Sequence, residues 1–426
     1  MNLEPFARGM QPKAGQAGSP ALMRRVNAGL VLKALQSRGP LSRPELALAT
    51  GLSQPTVNEI AAVLLAGRLA LEIASDPRQR PVRRGPKAAV LAFNAAAGHV
   101  LGVDLGAEKL VVVVSDLSGR VIARERQDVG PREALRPDPL LKQLHDAIDR
   151  ALAMARVPRG RLMAVGVGLP GIIDPVSGRV SMVPALPGWE GIEIVSRLQA
   201  GFSCPVLVNT DVHLASLAES RLGTAKGDGD VVYVHLGVGI GIGILIGGKV
   251  YPGTDGAAGQ IGNLPIGDPK DPPEAGFGMF EWSAGSSAFS RLGQRAARGR
   301  HGARLSEAVD GNVEAIGPKT ILAAAQQGDR EAKRILLQLT ERLAQGLAAV
   351  ICMFNPASLI LGGEVSQLGP ALIEPLRAGV ASLVPRLPRH FILSSLGEDA
   401  VALGAVQVGV QTAEDKIFST ASARAA

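Results

Sequence analysis

The feature that most constrains this chain is a run of alternating glycines, Leu236-Gly237-Val238-Gly239-Ile240-Gly241-Ile242-Gly243, directly after the apolar stretch Val231 to Val234. Glycine has no Cβ, so a strand carrying it at every second position lets a ligand or another backbone come close on one face. A strand running into a glycine turn can seat a phosphate, and the same pattern suits a tight turn packed on a neighbouring sheet. Asp211 lies upstream in Asn209-Thr210-Asp211 and offers a carboxylate for the same place.

A chain of 426 residues, 46% of them hydrophobic, is long enough for two or three domains with large cores. No apolar run reaches transmembrane length without glycine or charge, and the start carries Glu4, Arg8 and Lys13 rather than a signal-like stretch. A cytoplasmic protein with no membrane partner is expected. Cys204 and Cys352, each in an apolar segment, exclude a disulfide framework and a cysteine-built zinc site and are expected in the core. Of the net charge of +7, residues 1–90 hold 13 Lys/Arg against 5 Asp/Glu, while the rest hold 32 against 33. The positive field therefore belongs to the N-terminal segment, as in a polyanion-binding module attached to a near-neutral body.

That module is expected at residues 21–93, after a flexible tail at 1–20. Met23, Val26, Leu30, Val31, Ala34 and Leu35 have the spacing of a helix with one buried face, ending at Arg38-Gly39-Pro40. Ser42-Arg43-Pro44-Glu45 reads as a capping box for a short second helix ending at Gly51. Ser53 caps a third helix, which buries Val57, Ile60, Ala61 and Leu64. A strand, a basic loop and a second strand follow, completing a winged helix-turn-helix. Its third helix is expected in the major groove of double-stranded DNA, with Ser53 as cap and Gln54, Thr56 and Asn58 near base edges. Arg84, Gly85 and Lys87 in the wing tip suit a narrow A·T-rich minor groove.

Residues 94–411 read as an α/β body. Strands His99 to Leu105 and Lys109 to Ser115 flank the turn at Gly106, and an amphipathic helix follows from about Pro139 to Ala155. The plan recurs after Val231, which indicates a duplicated fold with a lobe boundary near 211 and a cleft between lobes. The last helix, from about Gly404, is expected to return to the first lobe, and 412–426 reads as a frayed tail.

The segments VDLGAEK (103–109), GVGLPGIIDPVSGRV (166–180), LPGWEGIEI (186–194), NTDVHLASLAES (209–220), HLGVGIGIGILIGGKVYPGTDGAAGQIGNLPIG (235–267) and NPASLILGGEVS (355–366) together resemble the ROK family of repressors, open reading frames and sugar kinases. The resemblance runs from about Leu22 to about Val410, and the N-terminal winged helix points to the repressor branch. It implies an actin-like, sugar-kinase fold of two lobes. It also implies a sugar or sugar-derivative ligand held by Trp189, Asn209, Thr210, Asp211, Gln260, Asn263 and Glu281, with Trp189 suited equally to a half-buried core place, and vestigial phosphate turns at Asp104, Gly106, Gly237, Gly239 and Gly363, the last suited equally to a turn that closes the fold. Asp211 stands where the family's catalytic base stands.

The departures matter as much as the likeness. Family kinases carry a threonine two residues beyond Gly106, where this chain has Glu108, and another where it has Val238, so two phosphate-facing hydroxyls are replaced. The family's Glu-Ile-Gly-His run is Gln260-Ile261-Gly262-Asn263 here, and the three cysteines of its zinc site fall on Pro272, Glu274 and Met279. No zinc and no other cofactor is expected, with ATP required only if the chain is a kinase. The six histidines, among them His213, His235 and His390, show no metal spacing and read as structural or surface residues. The expectation is therefore a ligand-controlled DNA-binding regulator, a homodimer or homotetramer without catalytic residues. The alternative is an ATP-dependent sugar kinase with an appended DNA-binding domain.

Overall fold

The structure, a computed structural model, describes residues 20–74, 89–175, 177–274, 276–299 and 302–424. The expected wing tip with Arg84, Gly85 and Lys87, and the first 19 residues, lie outside them. Helix α1 (Pro20–Arg38) ends where Gly39 takes φ of +80° ahead of Pro40. It buries Ala28, Val31, Leu32 and Leu35, and leaves Met23, Val26 and Leu30 exposed. The expected stripe is thus rotated. Val31, Ala34 and Leu35 of the expected stripe are buried, and the neighbouring elements add Ala28 and Leu32 in place of Met23, Val26 and Leu30.

After β1 (Leu41–Ser42), helix α2 (Arg43–Thr50) starts with the Glu45 carboxylate accepting from the Ser42 amide at 2.8 Å and from its hydroxyl at 2.6 Å. In α3 (Gln54–Ala66), Val57, Ile60, Ala61 and Leu64 face inward. The antiparallel pair β2 (Ala70–Ile73) and β3 (Val90–Phe93) joins β1 in a three-stranded sheet of order β1-β3-β2. Leu46, Leu64 and Leu91 close this small core.

The first lobe contains β4 (His99–Leu105), β5 (Lys109–Asp116), β6 (Val121–Asp128), α4 (Pro137–Ala155), β7 (Leu162–Leu169), the small pair β8 (Ile172–Ile173) and β9 (Val180–Met182), α5 (Ile194–Gln199) and β10 (Val206–Thr210). Its sheet runs β10-β7-β4-β5-β6, with β4, β7 and β10 parallel and the β4-β5-β6 meander antiparallel. Helix α6 (Asp211–Arg221) leads out of it.

The second lobe begins with β11 (Val231–Leu236), β12 (Ile240–Ile246) and β13 (Lys249–Val250). Helices α7 (Met279–Ala284), α8 (Ser286–Ala297), α9 (Ala303–Glu307), α10 (Pro318–Gln326) and α11 (Arg330–Phe354) follow, then β14 (Ser358–Gly362), α12 (Pro370–Leu383) and β15 (His390–Leu393). Its sheet, β13-β12-β11-β14-β15, repeats the order and strand directions of the first. Among the described helices only α11 is long and apolar enough to span a membrane by composition, and its Leu339, Leu343 and Leu347 are fully buried in the lobe's core.

Two expectations are corrected at the C-terminal side. Cys352 is exposed on the outer face of α11, since the apolar segment around it is a helix buried on one side only; Cys204 is buried. Residues Thr412 to Arg424 of the expected tail continue α13 (Ala400–Arg424), with Ala413 and Ile417 packed against Val100 and Leu117 of the first lobe. Burial of those two side chains holds helix where composition alone suggested fraying.

Candidate functional site

The glycine run resolves into seats of different kinds. A Cβ on Gly243 would sit 1.9 Å from the Val212 carbonyl oxygen, and one on Gly241 would meet the Val212 side chain at 3.5 Å. Gly243 of β12 therefore admits the first turn of α6, the turn that begins with Asp211, and Gly241 lies in ordinary contact with it. Gly237 is buried, and a Cβ there would meet the His235 ring at 2.6 Å. Only Gly239 is exposed, with the Glu281 carboxylate as its nearest neighbour, 3.4 Å from where its Cβ would stand. Gly243 serves helix packing, Gly237 is crowded by the His235 ring, and the part open to a ligand is the turn at Val238 and Gly239.

The phosphate role expected of the other glycines meets a geometric obstacle. The Gly106 amide donates to the Lys109 carbonyl at 3.1 Å, and the Gly237 amide to the Gly239 carbonyl at 3.1 Å, so both are spent inside their own hairpins. Gly363, at φ +87°, lies so close to β11 that a Cβ would stand 2.6 Å from the Leu236 carbonyl oxygen. It closes the turn after β14 onto the neighbouring strand.

Four elements bring carboxylates to this place. Asp104, near the end of β4, is 5% exposed, and burial pushes its carboxyl up to about 7 despite the Lys109 ammonium at 3.8 Å, with Asp211 adding to the rise. Asp211, at the N-terminus of α6, is pushed up to about 6 by burial, opposed by the Val212 amide that donates to it at 2.7 Å. Glu281 at the start of α7 accepts from the Ile240 amide at 3.2 Å and the Gly278 amide at 2.9 Å, so it ties the glycine turn to α7. Glu108 is exposed as a residue, and partial desolvation of its carboxyl, together with the charge of Glu364, raises it.

Asn209, Asp211 and Gln260 are half-buried and Asn263 is exposed. They converge because Gly259, at φ +96°, lets its loop press on β12, where its Cβ would stand 2.0 Å from the Ile242 carbonyl oxygen. Two expected ligand residues do not join them. Trp189 is fully buried in the first lobe's core, its indole N–H donating to the Leu135 carbonyl at 2.7 Å, and has no face for a sugar. Thr210 is 4% exposed and its hydroxyl donates to the Gly171 carbonyl at 3.2 Å, fixing the loop after β7. Apolar neighbours and an available carbonyl decided both cases, and neither is visible in the motif.

Three residues here gave no usable signal in the sequence. His213, two positions after Asp211, is 5% exposed; burial holds its imidazole down at about 4, a backbone bond with Ala258 partly offsets this, and its Nε2 has no partner. His235 is held at about 4 by burial and by Lys109. Lys109 donates to the Glu398 carbonyl at 2.9 Å and so bridges the first lobe to the turn before α13. Single histidines and lysines without spacing carry no signature.

The segment matching the family's zinc loop is pinned by other means. Arg291 donates to Asp271 at 2.8 Å and to the Trp282 carbonyl at 3.0 Å, and its guanidinium lies 3.9 Å from the Trp282 ring centroid. Among the described residues no group of three or more His, Cys, Asp or Glu is placed to hold a metal.

In the N-terminal module Ser53 and Thr56 hydrogen-bond each other, hydroxyl to hydroxyl at 2.8 Å, and cap α3, while Gln54 and Asn58 are exposed on its first turns.

Two lobes of repeated topology, joined by α6 and α13 around a carboxylate-lined cleft, define a sugar-kinase-like α/β body. The sequence profile of the ROK family matches residues 100–411, and the chain belongs to that family. It is 28% identical to the xylose repressor of Caldicellulosiruptor bescii over 91% of this chain and 96% of that one. With the N-acetylglucosamine repressor of Escherichia coli O157:H7 it shares 26% identity over 85% and 86%. Among solved structures, a ROK family transcriptional regulator described as a homologue of the E. coli MLC protein superposes with a TM-score of 0.72 at 25% identity, over 94% of this chain and 99% of that one. A ROK family glucokinase from Streptomyces griseus, in complex with glucose and AMPPNP, gives 0.62 at 27% identity but covers only 73% of this chain, and 98% of its own.

Proposed function

We propose that this chain is a sugar-responsive transcriptional repressor. The observation that carries the reading is coverage: the repressor relatives span the N-terminal module and the body together, whereas the glucokinase leaves about a quarter of the chain unmatched. In this reading α1 to β3 form a winged helix-turn-helix, α3 enters the major groove of double-stranded DNA, and Gln54 and Asn58 reach bases while Ser53 and Thr56 hold the helix start. Arg84, Gly85 and Lys87 would supply the minor-groove contact. The ligand is a small polyhydroxylated molecule held by Asn209, Asp211, Gln260, Asn263 and Glu281, whose amide and carboxylate groups match hydroxyls. The protein acts as a homodimer or homotetramer, since paired half-sites need paired readers. It uses no zinc: Pro272, Met279 and Asn263 are poor ligands for that ion, and Arg291 pins the loop instead.

One observation favours the kinase alternative: a carboxyl raised to about 6, as at Asp211, suits a general base near neutral pH. Against it stand Glu108 and Val238, which put an anion and a methyl-bearing side chain where phosphate hydroxyl contacts would be needed. Fluorescence anisotropy on labelled DNA from the gene's upstream region, at fixed salt, with D-xylose and N-acetylglucosamine as first probes, tests the repressor reading. Specific binding altered by a sugar is expected. Sugar-dependent ATP consumption abolished by Asp211→Asn, with no specific DNA binding, would replace the repressor with the kinase.

A further inference from the structure

Helix α13 touches the ligand side and the DNA-binding module at once. Toward its N-terminal end Gly404 packs on the first turns of α6: a Cβ there would stand 2.0 Å from the Leu214 carbonyl oxygen, three residues beyond Asp211. On the sheet side the contacts are equally close. A Cβ on Gly102 of β4 would meet the Ala402 carbonyl oxygen at 2.1 Å, and one on Gly166 of β7 the Ala405 carbonyl oxygen at 2.2 Å. With backbone against backbone on two sides, α13 cannot slide or roll without moving α6.

Ten residues further on, roughly 15 Å along the helix, Glu414 accepts from the Gln36 side chain of α1 at 2.7 Å. Lys33 of α1 and Arg221, the last residue of α6, lie near enough to stabilise the Glu414 carboxylate, although burial is the larger effect and raises its carboxyl. Around this contact Ala413 and Ile417 share an apolar cluster with Leu69 and Phe93 of the module. Helix α6 therefore begins at Asp211 and ends at the junction where α1 is held, and α13 is packed along it.

We propose that Glu414 is a positioning residue that couples the ligand cleft to the DNA-binding module, with α6 and α13 moving as one rigid pair between Asp211 and Gln36. The inference rests on the sugar-responsive repressor reading. It deepens that reading by naming the contact through which a ligand changes the placing of α1. Because coupling between two sites is reciprocal, a change at the module end must be felt at the ligand end.

The test is hydrogen–deuterium exchange on the full-length protein, comparing wild type with Glu414→Leu and Gln36→Leu, and following amides 211–216 of α6 and 23–36 of α1. Coupling predicts about fivefold or faster exchange in both segments for either variant. A purely local contact predicts a change in α1 and the end of α13 alone, and unchanged exchange at 211–216 overturns the proposal. Gly404→Ala, which forces α13 off Leu214, must speed exchange in 23–36; if that variant does not fold, the other two still decide. Operator anisotropy of the wild type, run in parallel, separates the failures. A protein that binds DNA and responds to D-xylose or N-acetylglucosamine without exchange coupling loses only this inference, and one that binds no specific DNA loses the repressor reading.

Discussion

The two lobes repeat one strand order, yet they make room for their shared helices on different strands. In the first, Gly102 of β4 and Gly166 of β7 admit the backbone of α13; in the second, Gly243 of β12 admits α6. Glycine in either sheet is a seat for a helix before it is a feature of a ligand turn. The turns themselves differ in charge. The first carries the buried Asp104 beside Lys109 and ends in Glu108, whereas the second exposes only Val238 and Gly239. The first turn is thus acidic and the second uncharged.

Breaking the helix seats should have the largest effect. Gly243→Ala places a methyl 1.9 Å from the Val212 carbonyl oxygen and is expected to cost about 3 kcal/mol or more in urea unfolding. Gly239→Ala, whose methyl would stand at an ordinary contact distance of 3.4 Å from the Glu281 carboxylate, is expected to cost under about 1 kcal/mol. Equal losses in the two variants would contradict the division of the run into helix seat and open turn.

Next comes the charge buried in the first turn. A carboxyl raised from 3.8 to about 7 in the fold makes its ionised form unfavourable, and the penalty is complete above pH 7 and absent below the unfolded value. The shift corresponds to roughly 4 kcal/mol at most, and loss of the Lys109 pair on substitution leaves an expected gain of about 2 kcal/mol for Asp104→Asn at pH 8. That gain should shrink steadily toward pH 4 in melting experiments across pH. A gain independent of pH would mean that Asp104 is not the strained acid.

The comparison extends to how each lobe is pinned. Arg291→Ala in the second lobe removes two hydrogen bonds and a ring contact and should cost about 1.5 kcal/mol, with faster proteolysis around 268–278. Chelator or added zinc should leave the wild-type melting temperature unchanged; a chelator-induced drop would restore the metal. Smallest is Arg124→Ala, which removes the exposed pair with Asp399 at 2.7 Å between β6 and the turn before α13. About 0.5 kcal/mol is expected, vanishing at high salt, and a loss that persists there would mark this contact as more than a surface pair.

Much of this molecule could be read before any coordinates. The strands from His99 and Val231, the glycine turns and the ROK segments placed both lobes, and local chemistry such as the Ser42 and Ser53 caps follows from residues three or four apart. The misreadings share a different cause. The stripe through Met23, Val26 and Leu30 was as periodic as the one that is buried, and only the neighbours of α1 chose between them. Trp189 and Thr210 sat within motifs that face a ligand in outline, but their partners, the Leu135 and Gly171 carbonyls, come from other parts of the chain. No pattern in His213 foretold a buried imidazole with an unpaired nitrogen.

The sequence by itself determined the duplicated α/β plan, the basic N-terminal module, and the acidic and apolar side chains at Glu108 and Val238, because each depends on residue type and short-range spacing. The tertiary structure alone decided that α13 runs on past Thr412, that Gly243 seats α6, and that Asp104 and Asp211 share one place of low polarity. Those outcomes depend on which distant backbones meet and how much water they exclude, and neither quantity is written in local sequence.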